Sequence, residues 1–160
     1  MAKEKYPTTQ AIRLLRQQQV NFEPRLYKYE DRGGTATSAR ELGIDEHRVI
    51  KTLVMEDEQK NPLIVLMHGD CEVSLKNLAR RIGVKQVTPC MPQVAGSLTG
   101  YQTGGISPFG TRKTLPIYVE QTILELEKIC INGGKRGFLV EISPRDLKRV
   151  LNPTLINVAL

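Results

Sequence analysis

One lysine and two glycine-rich segments are the features of this 160-residue chain that suggest a ligand pocket. Lys51 interrupts the apolar, β-branched run Val49–Val54, and an ammonium group that loses water needs a compensating partner. Glycines cluster at residues 100–110 and 133–137, where the backbone can approach a ligand closely and expose amide donors. A cation facing such a backbone predicts a pocket for an electron-rich ligand.

The same residues also fit purely structural roles. Lys51 could lie at a sheet edge with its ammonium group in solvent, and the pattern alone favours this interpretation. Tyr27 and Tyr101 fit core aromatics with a hydrated hydroxyl as well as they fit pocket walls. The glycines could form tight turns, above all at residues 133–137.

Several established motifs are absent on close inspection. Gly105 and Gly110 have the spacing of a phosphate-binding loop, but Thr111-Arg112 follows where Lys-Ser/Thr is required. A nucleophile elbow around Ser107 would need glycine in place of Phe109. The Gly134–Gly137 segment resembles the loop of KH domains, yet strand patterns flank it, and a glycine hairpin is the better interpretation.

Neither a metal centre nor a cysteine nucleophile is predicted. His47 and His68 are the only histidines, and His68 with Cys71 forms a lone pair of possible ligands. Cys90 and Cys130 lie far apart in the sequence, and no spacing favours a cysteine–histidine pair. We therefore expect no metal and no cofactor. Either the chain only binds its ligand, or its substrate carries the nucleophile.

Composition points to a globular protein with a polyanionic partner. The net charge is +6, and basic residues form small groups that fit nucleic acid, or else solvated helix faces. The first residues lack the apolar core of a signal peptide, and the longest apolar run, Leu63–Met67, is too short to span a bilayer. Three unpaired cysteines fit a reducing compartment. These observations predict a cytoplasmic protein without membrane contact.

The apolar periodicity predicts one α+β domain over residues 1–160, with a mixed, largely antiparallel sheet flanked by short helices. Four helices are predicted. The first covers about residues 8–19, and the second is a short helix capped by Ser38 and Glu41 and stopped by Gly43. The third is capped by Ser74, and the fourth covers residues 144–151. Predicted strands are Phe22–Tyr29, Val49–Asp57, Pro62–His68, Ile117–Val119, Lys128–Asn132 and Phe138–Ile142.

The order of the strand lysine, Gly104-Gly105-Ile106-Ser107-Pro108 and Gly133-Gly134-Lys135-Arg136-Gly137 resembles the YbaK/EbsC family. These proteins are Cys-tRNA(Pro) deacylases related to the editing domain of bacterial prolyl-tRNA synthetases. The similarity runs from about Thr9 to Leu151, and the joint occurrence of both glycine elements makes it specific. It implies a sheet with a barrel-like core.

The resemblance also implies roles for individual residues. Lys51 falls on the family's functional lysine, and Tyr27 falls on a tyrosine that lines the pocket. Substrate contacts are implied for Gly104, Gly105, Ile106, Ser107, Pro108, Gly134, Lys135 and Arg136. The chain departs from the family at Leu139, where some members carry an aspartate, and at Phe109 and Thr111, where leucine and glutamine are commoner.

The activity implied by the resemblance is release of cysteine from mischarged Cys-tRNA(Pro), with prolyl-tRNA synthetase as a further partner. In the family's proposed chemistry the substrate thiol attacks its own ester carbonyl, so the protein supplies positioning and electrostatics. Two alternatives stay open. One is an Ala-tRNA(Pro) deacylase with a tighter pocket and an activated water, and the other is a non-catalytic module that binds tRNA or synthetase.

Overall fold

A computed structural model describes residues 5–160. The helices of this part of the chain are α1 (Gln10–Gln17), α2 (Gly34–Leu42), α3 (Leu75–Ile82), α4 (Pro92–Thr99) and α5 (Pro144–Leu151). The hydroxyls of Thr9, Ser74 and Ser143 accept hydrogen bonds from first-turn amides, which confirms the predicted starts of α3 and α5, whereas α1 begins and ends two residues inside its predicted range.

Helix α2 is longer than predicted at its amino end. It begins at Gly34, with Gly33 as an N-cap that provides no side-chain hydrogen bond. Ser38 is therefore not the cap: it is buried within the helix, and its hydroxyl donates to the carbonyl oxygen of Thr35 at 3.1 Å. The predicted capping box was wrong because this hydroxyl bonds back along the helix instead of closing its first turn.

All strands of the described chain belong to one mixed sheet. They are β1 (Glu23–Leu26), β2 (Val49–Asp57), β3 (Pro62–His68), β4 (Val87–Pro89), β5 (Ile117–Glu120), β6 (Ile129–Lys135), β7 (Phe138–Ile142) and β8 (Thr154–Ile156). The order is β1-β7-β6-β2-β3-β5-β8, and β4 pairs with β2. The α+β class is confirmed. The path of pairings across residues 5–160 ends at β1 and β8, so the sheet is not closed.

The β2–β3 hairpin has the predicted bounds and forms the centre of the sheet. The pairing Ile50↔His68 lies at its open end and Glu56↔Pro62 lies beside the turn. Four pairings of the sheet are antiparallel, and the three parallel ones join β2 to β6, β3 to β5 and β5 to β8.

Both faces of the sheet are covered, which is visible from the alternation along β3. Ile64 and Leu66 pack into one apolar cluster with α1 and α5, whereas Val65 and Met67 pack into another cluster with α3. Lys51 and Leu53 lie two residues apart on β2, so their side chains project from the same face of the sheet. This is the face that carries α3.

Three elements were not predicted: β4, α4 and β8. The two strands have three residues each, and Thr88, Pro89, Thr154 and Leu155 are exposed, so neither shows a usable alternation. Helix α4 begins with Pro92 and contains Gly96, which hides its helical pattern. No helix within residues 5–160 is long and apolar enough to cross a membrane.

Candidate functional site

A gap in the pairing of β2 creates the candidate pocket. On the side away from β3, β2 pairs with β6 at Val49 and Ile50 and with β4 from Met55 to Asp57. Between these pairings the strand borders a cavity of about 420 Å³. The volume lies within the range of small-ligand sites.

The main chain of Thr52 points into this gap. The amide of Cys90 donates to the carbonyl oxygen of Val54 at 3.0 Å, so the main-chain groups of Val54 point away from β3. Those of Thr52, two residues earlier, point to the same side because peptide groups alternate along a strand. Thr52 Oγ1 is buried and has no hydrogen-bond partner within the described chain. The sequence pattern does not single out Thr52, since only the interrupted pairing of β2 distinguishes it.

Lys51 also lines the cavity. Its side chain is 20% exposed, and its ammonium nitrogen lies 3.6 Å from a carboxylate oxygen of Glu72, whose side chain is 85% exposed. A pair with so exposed a carboxylate contributes little to stability. Glu72 is nevertheless a partner that the sequence had not indicated.

The glycine loop forms one wall of the cavity, and residues of α2 also line it. Gly104 borders the cavity and has φ of +88°, and a Cβ atom there would lie 2.5 Å from the hydroxyl of Tyr29. The positive φ favours glycine at this position, and a Cβ atom would in addition displace the Tyr29 hydroxyl. Ile106 of the same loop and Thr103 also line the cavity.

Gly105 lies behind the wall. Its amide donates to the carbonyl oxygen of Gln102 at 2.8 Å, and a Cβ atom would meet the amide nitrogen of Arg136 at 2.7 Å. The amide of Gly105 is therefore already engaged, whereas Gly104 borders the cavity. Ser107 and Pro108 are buried outside the lining, and Ser107 Oγ accepts a hydrogen bond from the Phe109 amide.

The end of β6 and the β6–β7 turn support the glycine loop. Asn132, which itself lines the cavity, accepts hydrogen bonds from the amides of Gly134 and Lys135 and donates to the carbonyl oxygen of Gly104 at 3.3 Å. Arg136 Nε donates to the carbonyl oxygen of Thr103 at 2.8 Å. Gly134, Lys135 and Arg136 do not line the cavity, and a direct substrate contact for them stays a prediction.

Tyr27 and Leu139 complete the wall on the β1 and β7 side. Burial and the neighbouring Tyr29 raise the pKa of the Tyr27 phenol, so this hydroxyl stays protonated at neutral pH and can donate a hydrogen bond. Leu139 is buried and adds an apolar surface to the cavity. Tyr101, in contrast, belongs to the core, and burial raises its pKa to about 12.

None of the protein's thiols is suited to nucleophilic attack. Burial raises the pKa of Cys90 and of Cys130 to about 11, and burial with the nearby Asp70 carboxylate raises the pKa of Cys71. A thiol with a raised pKa carries little thiolate at neutral pH. No cysteine or histidine borders the cavity within residues 5–160.

A second cavity, of about 590 Å³, lies between α3 and β4. Its walls include Lys76, Arg80 and Lys85, and it shares no lining residue with the first cavity. A possible metal-binding group lies outside both cavities. Among the described residues, His47, Asp70 and Cys71 each offer a ligand atom, and these atoms lie within 4.8 Å of one another.

Comparisons with known proteins agree with this fold. Residues 30–150 match the family model described as the aminoacyl-tRNA editing domain. The chain belongs to this family, and the resemblance found in its sequence is confirmed.

Two similar proteins come from Enterococcus faecalis and Limosilactobacillus fermentum. An Enterococcus faecalis protein named "Putative Cys-tRNA(Pro)/Cys-tRNA(Cys) deacylase EbsC" is 32% identical over 154 residues, which cover 95% of this chain and 94% of that protein. The "Proline--tRNA ligase" of Limosilactobacillus fermentum is 22% identical over 105 residues, 63% of this chain and 18% of the ligase.

A solved structure has the same fold. It is titled "Crystal structure of a putative trans-editing enzyme for prolyl tRNA synthetase", and it superposes with a TM-score of 0.82 at 19% identity, covering 97% of this chain and 99% of that chain. At this identity the match concerns the fold alone.

Proposed function

We propose that this protein is a trans-editing deacylase that releases cysteine from Cys-tRNA(Pro). The observation that carries the proposal is that Lys51 and Gly104 border one cavity of about 420 Å³, which has room for an aminoacyl group. A module that only binds tRNA would not need a cation and a glycine backbone enclosing such a space.

The chemistry follows from what the pocket offers. The substrate thiolate would attack the ester carbonyl carbon, forming a carbon–sulfur bond. The ester carbon–oxygen bond then breaks, and the ribose oxygen takes up a proton from solvent as the cysteine leaves as a thiolactone. Lys51 and the Gly104 amide would stabilise the negative charge on the carbonyl oxygen, and Tyr27 and the Thr52 main chain would hold the aminoacyl group.

The apolar wall at Leu139 and the raised thiol pKa values support this route over a protein nucleophile. The name of the Enterococcus relative favours cysteine, on tRNA(Pro) or tRNA(Cys).

We further propose prolyl-tRNA synthetase as the partner that supplies the mischarged tRNA in the cytoplasm. The similarity to a part of proline–tRNA ligases supports the same chemistry in trans.

The test is deacylation of Cys-, Ala- and Pro-tRNA(Pro) by purified protein, with Cys-tRNA(Cys) as an additional substrate. Selective loss of cysteine from tRNA(Pro) supports the proposal. Preference for Ala-tRNA(Pro) would favour water-based hydrolysis, and tRNA binding without turnover would favour a non-catalytic module. Addition of the synthetase should leave this amino-acid preference unchanged.

A further inference from the structure

The open end of the β2–β3 hairpin brings together a nitrogen, an oxygen and a sulfur ligand. His47 lies just before β2, and Asp70 and Cys71 come just after β3. Because the two strands are antiparallel, with Ile50 opposite His68, these flanking residues meet at the same end of the hairpin. Their distance in the sequence had concealed this cluster.

The distances between the three groups are close to those of a metal centre. His47 Nδ1 lies 2.8 Å from Asp70 Oδ1, and Cys71 Sγ lies 3.5 Å from the same oxygen. Ligand atoms around a tetrahedral zinc ion are roughly 3.4–3.6 Å apart, given metal–ligand bonds of about 2.0–2.3 Å. The Cys71–Asp70 distance already fits. At 2.8 Å, His47 and Asp70 are hydrogen-bonded to each other, so the ion would have to replace this contact and the two groups would have to separate slightly, which side chains 40% and 44% exposed can do.

A buried histidine holds the His47 ring in place. The rings of His47 and His68 stack at 3.7 Å with an angle of 7° between their planes. His68 is itself fixed, because Nδ1 donates to the carbonyl oxygen of His47 at 2.8 Å and Nε2 bonds with Thr122 Oγ1 at 2.7 Å. With both ring nitrogens engaged, His68 orients His47 and is not a ligand itself.

We propose that His47, Asp70 and Cys71 form a zinc-binding site at the open end of the β2–β3 hairpin. Imidazole and thiolate donors favour zinc over magnesium or calcium, which prefer oxygen ligands. Three protein ligands leave the fourth position to water. The ion would connect the segments on either side of the hairpin, and none of its ligands lines the pocket.

The first experiment uses cobalt as a spectroscopic probe on tag-free protein freed of metal. One equivalent of Co²⁺ should produce thiolate-to-cobalt charge-transfer absorption in the near ultraviolet. Cys71→Ser should abolish the band, whereas Cys90→Ser, which alters a thiol outside the cluster, should keep it. Absence of the band in the wild type, or its persistence in Cys71→Ser, would overturn the proposal.

The second experiment measures zinc itself. Calorimetric titration should give one site per chain, weakened at least tenfold in both Asp70→Asn and His47→Ala. Zinc should also raise the Tm of the wild type but not that of Cys71→Ser, since a ligand that binds only the folded state stabilises it. Asp70→Asn keeps the shape of the side chain, so unchanged zinc affinity in this variant would exclude the site even if His47→Ala failed to fold. Metal binding is measured without tRNA, and its outcome is therefore independent of the deacylase proposal.

Discussion

The ammonium nitrogen of Lys51 lies 3.6 Å from the carboxylate of Glu72, which is 85% exposed to solvent. An ion pair with such an exposed partner contributes at most about 1 kcal/mol. It does not offset the cost of keeping a lysine that is only 20% exposed within an apolar strand. A role in the pocket explains the position of Lys51 better than this ion pair does.

Lys51→Ala should reduce deacylation of Cys-tRNA(Pro) about a hundredfold or more, the scale of one charged contact to a developing oxyanion. The variant should keep its far-ultraviolet circular dichroism spectrum. Glu72→Gln removes the ion-pair partner and serves as the matched control, with activity close to wild type. Full activity of a folded Lys51→Ala protein would return Lys51 to a purely structural role.

A methyl group at Gly104 should impair activity more than a methyl group at Gly83. Gly104→Ala places a Cβ atom 2.5 Å from the Tyr29 hydroxyl and in the pocket wall, so we expect deacylation to fall about tenfold to a hundredfold. Gly83→Ala is the control: Gly83 has a similar φ of +79°, but open space surrounds its missing Cβ. Both variants should lose about 1–3 kcal/mol from backbone strain. Equal activity in the two would contradict a pocket role for Gly104.

Local patterns in the sequence were sufficient to predict the framework around the site. The β2–β3 hairpin, the caps Ser74 and Ser143 and the strand β7 follow from alternation and end signals within a few residues. Lys51 stood out for the same reason, because one charged residue breaks a local apolar run. The start of α2 was wrong since Ser38 has two ways to use its hydroxyl, and only packing decides between them.

The remaining parts of the site depend on contacts between distant segments. Thr52 faces the pocket because β6 and β4 leave a gap beside β2, and neither pairing is encoded near Thr52. Asn132 acts through a loop 28 residues away. His47 and Asp70 meet only after the hairpin has formed. Such long-range relationships require the folded chain.

A partly buried ion cluster makes stability depend on pH. Glu141 accepts hydrogen bonds from Arg25 at 2.9 Å and Arg48 at 2.8 Å, and its side chain is 15% exposed. Burial acts to raise the pKa of Glu141, but the two guanidinium groups outweigh it and hold the pKa below its ordinary value. The stabilisation by this cluster is therefore fully present above the pKa that Glu141 has in the unfolded chain. It is lost as the pH falls through the lower pKa of Glu141 in the folded protein.

Glu141→Gln should lower the free energy of unfolding by about 1–3 kcal/mol at pH 7, the range for hydrogen bonds to charged groups. The difference from wild type should shrink as the pH is lowered below about 4.3, the pKa of an unperturbed glutamate. Urea denaturation at pH 7 and at a pH below about 4.3 measures this difference. Glu23→Gln, which removes a 69% exposed partner of the same Arg25, should change stability by less than about 1 kcal/mol. A pH-independent difference for Glu141→Gln would refute this assignment.

Contacts with tRNA should be electrostatic and centred on α3. Lys76, Arg80 and Lys85 line the cavity between α3 and β4, on the sheet face from which Lys51 projects. Affinity for tRNA(Pro) should fall with salt, and Arg80→Gln should weaken binding and reduce the slope of log affinity against log salt by about one. Arg13→Gln makes the same charge change on α1, at the opposite face, and should leave the slope unaltered. Equal effects of the two variants would exclude this cavity as the contact.

The nucleophile should belong to the substrate. All three thiols of the protein have raised pKa values, and no cysteine or histidine borders the pocket within residues 5–160. If the cysteinyl thiol attacks, Cys-tRNA(Pro) should be cleaved while Ser-tRNA(Pro), of nearly the same shape, is largely spared. A hydroxyl stays protonated at neutral pH, whereas a free thiol is ionised to a few per cent.

The protein's own cysteines should then be dispensable. A variant with serine at positions 71, 90 and 130 should still release cysteine in single-turnover assays, provided that it remains folded. Cys130 is fully buried, and its substitution could unfold the protein. In that case the double variant Cys71→Ser/Cys90→Ser takes the place of the triple variant. Comparable rates on Cys- and Ser-tRNA(Pro) would instead favour an activated water, and an inactive but folded cysteine variant would favour a protein thiol.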